Sequence, residues 1–112
     1  MTDQAITINP ATGNELARYG RIGDAEARQA VELCHQAFDT WRHTTVEHRA
    51  SVLRSIGAAL RERKEELAEL MTREVGKLIA DSRDEVELCA AICDYTAEIG
   101  PEELASEQRD PA

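Results

Sequence analysis

Between Thr44 and Lys77 the apolar positions Val46, Leu53, Ile56, Leu60, Leu67, Met71 and Val75 recur at spacings of three, four and seven. That rhythm stacks them on one side of a 3.6-residue helix. Arg61, Glu62, Arg63, Glu65, Glu66 and Glu69 fill the other side, and no proline interrupts the run. The spacing therefore predicts one long amphipathic helix. Thr44 and Glu47, three apart, predict a capping box at its start, and Gly76 is the expected left-handed residue just past its end. A shorter helix precedes it. Asp24 is its expected N-cap, Glu26 favours the dipole in its first turn, and Ala27, Ala30, Val31, Cys34, Phe38 and Trp41 form its stripe up to Arg42–His43. A third helix is expected from about Ile79 to Ile99, with Val86, Cys89, Ala90, Cys93 and Ala97 on one face, and Gly100-Pro101 as its stop.

Ahead of the helices, Ala5–Ile8 is β-prone and residues 16–22 offer a return strand. Asn9, Pro10, Thr12 and Gly13 supply the turn between them. A lone hairpin is marginal in water, so it is expected to dock on the helices. The fold class expected is mainly α: an N-terminal β-hairpin followed by three amphipathic helices. Residues 1–100 form that unit, and residues 101–112 form an acidic tail expected to be disordered.

Composition narrows the function by exclusion. The 112 residues carry a net charge of −9, with lysine and arginine scattered among more numerous acids. Neither a nucleic-acid backbone nor an anionic membrane surface is attracted to such a chain. No apolar run approaches the roughly 20 residues of a membrane span. The start, MTDQAITINP, lacks the basic and apolar regions of a secretory signal, and three cysteines make no disulfide framework, so a reducing cytoplasm is the expected setting. Only four aromatic residues serve the whole chain. Stripes this regular with so little aromatic bulk imply a further covering layer, from a second copy or from other polypeptide.

Candidate chemistry is sparse. Cys89 and Cys93 share a helix face, but a closed zinc site needs four ligands, and Cys34, His35, His43 and His48 supply no ligand-like spacing. Cys34 and His35 are neighbours in sequence and so point about 100° apart on a helix. All three cysteines are expected to be buried packing residues rather than nucleophiles. Gly76-Lys77 lacks the glycine-rich lead-in of a phosphate loop, and no G-x-G-x-x-G follows a strand.

Taken in order, three stretches resemble the opening of the aldehyde dehydrogenase superfamily: INPATGN with ELARYGRIGDAEARQAV, then AFDTWRHTTVEHRASVLRSIGAALRERKEELAELMTREVGK, then ADSRDEVELCAAICDYTAE. Within it the succinate-semialdehyde dehydrogenase group is the nearest likeness. Two positions depart from the family pattern: Leu78 stands where proline usually follows Gly-Lys, and Asn14 stands where Glu or Gln is usual. The resemblance implies NAD(P)⁺-dependent oxidation of an aldehyde to an acid, and it makes this chain the hairpin and helical layer of the cofactor-binding domain. The family's "GQ-x-C", "E.GG" and "PWNFP" stretches do not occur here, so no catalytic or cofactor-binding residue carries over, and the chain alone is expected to be inactive. The resemblance also implies a monovalent-cation carboxylate early in the third helix, which by position is Glu85. The rival expectation is a freestanding helical oligomerisation or interaction module derived from such an enzyme.

Overall fold

The computed structural model describes residues 4–107. It consists of a β-hairpin and four helices: β1 (Gln4–Ile8), β2 (Glu15–Gly20), α1 (Asp24–Trp41), α2 (Val46–Glu62), α3 (Lys64–Val75) and α4 (Ile79–Glu103). The strands are antiparallel, with Ala5 opposite Tyr19 and Thr7 opposite Ala17. Asn9 builds the turn as expected. Its side-chain oxygen accepts the Ala11 N–H at 2.9 Å, and Gly13 takes the positive φ of 74° that closes the loop.

Helix ends are where the sequence pattern and the structure part. The run from Thr44 to Lys77 is two helices, broken at Arg63, whose φ of −99° and ψ of 17° leave the helical region. Nothing in the local sequence forces a break, and the hydrogen-bond ladder spans it: Arg63 donates to Ala59 O and Leu67 donates to Arg63 O. Both α2 and α3 pack on α4, and the one-residue break lets each of them follow it. The cap also moves. Thr44 donates its hydroxyl to Trp41 O at 2.7 Å, serving the end of α1, and Thr45 accepts the His48 N–H at 3.1 Å as the N-cap of α2. One hydroxyl serves each helix end. At the start of α1 the N-cap is Gly23 rather than Asp24, because the Glu26 carboxylate reaches back to the Gly23 N–H at 2.9 Å.

Two other ends are as informative. Gly76 adopts the expected left-handed conformation, φ 80°, and the Pro10 ring of the hairpin turn lies against it. This contact brings the hairpin turn to the α3–α4 link. Gly100-Pro101, by contrast, does not stop α4, which runs on to Glu103. The first three residues assigned to a disordered tail are therefore helical. Residues 108–112 of that expected tail lie outside the described residues.

The fully buried positions are nearly all small: Ala50, Gly57, Ala68, Ser82, Ala90 and Ala97, with Val86 the one larger side chain. Small residues let α2 and α3 approach α4 closely. A Cβ on Gly57 would meet Ala90 O and the Asp94 carboxylate at 3.2 Å and the Cys93 Cβ at 3.4 Å. The buried Ser82 hydroxyl is satisfied by Thr72 Oγ1 at 3.0 Å. Ion pairs run along the rim of this contact. Arg61 reaches both Glu87 (2.8 Å) and Asp94 (2.7 Å), Lys64 shares Glu87 (3.3 Å), and Arg83 crosses to Glu65 (2.8 Å). Arg61 and then Lys64 hold the Glu87 carboxyl below the usual carboxylate range, and Arg83 does the same for Glu65.

Helix α1 buries none of its residues. Val31, Leu33, Phe38 and Trp41 lie exposed along it, as do Leu88, Ile92 and Tyr95 on α4. The radius of gyration is 19.8 Å, well above the ~13 Å of a compact chain of about 100 residues.

Two outcomes follow from this packing. Gly57→Val is expected to destabilise the helical layer by about 1–3 kcal/mol, since the crossing has no room for a branched side chain; circular dichroism during thermal unfolding measures it. The depressed Glu87 and Glu65 carboxyls mean that the unfolded chain takes up protons first as pH falls. Their contribution to stability is thus complete at neutral pH and is lost as pH drops through the carboxylate range, around 4. Unfolding midpoints measured across that range should fall with pH, and the fall should be shallower in Arg61→Met.

Candidate functional site

Glu85, the position singled out for a monovalent cation, lies one and a half turns into α4 and is half-buried. It sits at the edge of an apolar groove between α3 and α4, a hollow of about 280 Å³ lined by Leu60, Leu67, Leu70, Met71, Val86 and Cys89, with Glu74 as a second carboxylate. The Glu85 carboxylate is already engaged, because Lys77 at the α3–α4 link donates its ammonium to Oε2. Among the described residues, no cluster of three or more His, Cys, Asp or Glu side chains is arranged to hold a metal. By themselves Lys77 and Glu85 form an ion pair.

The single strand-to-helix junction among the described residues is β2 to α1, the kind of place where a helix N-terminus can receive a dinucleotide phosphate. Its residues do not fit one. The Gly23 N–H is taken by the Glu26 carboxylate, and Asp24 and Glu26 place two negative charges in the first turn of α1. A phosphate approaching there meets these acids.

The thiols are less buried than their stripes predict. Cys34 and Cys89 are exposed and Cys93 is half-buried, all three unpaired. The expectation of buried packing cysteines is corrected for Cys34 and Cys89, since nothing in the described chain covers the faces they occupy. Cys34 shares an open apolar cleft of about 640 Å³ with Phe38, Trp41, Thr44 and His48, where the His48 ring stands edge-on to Trp41 at 6.0 Å between centroids. Sequence spacing pairs Cys34 only with His35; the turn between α1 and α2 is what brings His48 into the same cleft. A reactive thiolate needs a helix N-terminus or a neighbouring positive charge, and Cys34 lies in the middle of α1. The cleft is open and apolar. No helix among the described residues is long and apolar enough to cross a membrane.

Comparison with known proteins agrees with the arrangement of the elements. Residues 2–110 match the aldehyde dehydrogenase family. The succinate semialdehyde dehydrogenase [NAD(P)+] Sad of Escherichia coli K12 is 46% identical over 103 residues, which are 92% of this chain and 22% of that protein. A 3-sulfolactaldehyde dehydrogenase of Pseudomonas putida is 45% identical over 82 residues, 73% of this chain and 17% of that protein. The crystal structure of the Streptococcus pyogenes succinic semialdehyde dehydrogenase in complex with NADP+ superposes with a TM-score of 0.87 at 32% identity, covering 95% of this chain and 24% of that one. The chain spans about a fifth of the length of the relatives it matches. It belongs to the aldehyde dehydrogenase family.

Proposed function

We propose that this member of the aldehyde dehydrogenase family supplies the N-terminal hairpin and helical layer of an NAD(P)-dependent enzyme that oxidises a short aldehyde to the acid. The substrate class we favour is an aldehyde with an acidic group at its far end, succinate semialdehyde first. Two similar relatives are named for succinate semialdehyde and 3-sulfolactaldehyde, and both compounds have that form. The observation that carries the reading is the match of sequence and of fold over nearly the whole chain. The nucleophilic thiolate, the group that activates water and the cofactor pocket come from polypeptide beyond these residues. In support, Cys34 lies in the middle of α1, away from a helix N-terminus, and Asp24 and Glu26 set negative charge at the β2–α1 junction.

In this reading the exposed faces of α1 and α4 are covered by the remainder of the enzyme, or by a second copy when the chain is alone. The setting is the cytoplasm, which keeps exposed thiols such as Cys34 and Cys89 reduced. Glu85 serves as a cation carboxylate only with oxygens from outside the described residues and with Lys77 turned away. A second reading, a freestanding helical interaction module, draws on the same uncovered faces.

The protein that carries these residues, isolated from its source cells by an antibody against them, decides between the two. Its intact mass should be several times 12.4 kDa, and it should reduce NAD⁺ or NADP⁺ when given succinate semialdehyde, followed at 340 nm. The 112-residue chain alone should give no aldehyde-dependent signal. Turnover by the short chain would overturn its dependence on further polypeptide. An isolated protein of 12.4 kDa mass that binds a partner without oxidising aldehydes would establish the module instead.

A further inference from the structure

Pro101 lies inside α4, and its ring nitrogen has no hydrogen to give to the carbonyl four residues back. That carbonyl belongs to Ala97, which is completely buried, so water cannot take the place of the missing donor. A donor nevertheless arrives from another helix. Arg54 of α2 places Nη2 at 3.2 Å from Ala97 O, across 43 residues of sequence. Beyond the proline the helix resumes its own pattern, with Leu104 donating to Gly100 O at 3.0 Å.

We propose that Arg54 is the positioning residue that carries α4 through Pro101. Its guanidinium stands in for the absent N–H, so the helix continues one turn further and the chain leaves at Leu104 instead of at Gly100. The residue type suits the task. A guanidinium is always charged, it projects several N–H donors in a plane, and a positive charge close to the carbonyl end of a helix is favourable. Among the described residues no carboxylate forms an ion pair with Arg54, which leaves the side chain committed to this carbonyl. The inference concerns the direction in which α4 delivers the chain, and it stands whether or not the aldehyde-oxidising reading does.

Hydrogen exchange at the Glu102, Glu103 and Leu104 amides of the 112-residue chain tests it, with Arg54→Met made both in the natural sequence and in Pro101→Ala. With proline present, the substitution should speed exchange at these amides by about tenfold or more, through fraying of the last turn. In Pro101→Ala the alanine N–H serves Ala97 O, and Arg54→Met should change exchange there by less than about twofold. Equal acceleration in both backgrounds would assign Arg54 a general packing role and overturn the proposal, as would no acceleration in either. If Arg54→Met fails to fold, the double variant with Pro101→Ala must recover folding; failure to recover it also overturns the proposal.

Discussion

The close approach of α4 to α2 and α3 is the contact on which the rest of this structure depends. It is made by Gly57 against Ala90, by Ala50, Ala68 and Ala97, and by a serine whose hydroxyl is satisfied from Thr72. Small residues bring backbones near and gain dispersion contacts, but they remove little apolar surface from water. A layer joined in this way is defined in geometry and thin in core. Its larger apolar side chains are left at the edges, where Leu60, Leu67, Leu70 and Met71 line a groove instead of filling an interior.

That thinness makes sense of the features that look anomalous in an isolated chain. An 18-residue amphipathic helix with nothing buried, exposed Phe38 and Trp41, and a long open shape are what a single layer shows when one of its faces is uncovered. The rim of ion pairs around Arg61, Lys64 and Arg83 fixes how the helices sit against one another without contributing much burial. A separate pair, Lys77 with Glu85 at the α3–α4 link, engages the carboxylate that the family resemblance singled out.

The candidate chemistry was legible in the sequence chiefly by exclusion. The missing phosphate loop and the absence of a metal-ligand spacing can be read from residue order alone. Two facts were not legible. Lys77 and Glu85 are eight residues apart across a helix–helix link, so their pairing depends on the turn that Gly76 makes. The cleft that Cys34 shares with His48 depends likewise on the turn between α1 and α2. Neither pair lies within one helix, and periodicity describes only single helices.

The sequence by itself determined the kinds of element and their order: a hairpin at NPATG, amphipathic helices with their stripes, and a left-handed glycine at position 76. These follow from local physics, from side-chain period and from backbone freedom at particular residues. Only tertiary structure decided where the helices begin and end. Arg63 breaks the central run into two helices that both pack on α4; Thr44 leaves the cap to Thr45 because α1 needs its hydroxyl. Helix α4 passes Pro101 where Arg54 from α2 reaches the carbonyl that the proline leaves without a donor. The physical reason is common to the last two. A helix end is a set of unsatisfied backbone groups, and which residue satisfies them depends on what the fold brings within hydrogen-bonding distance.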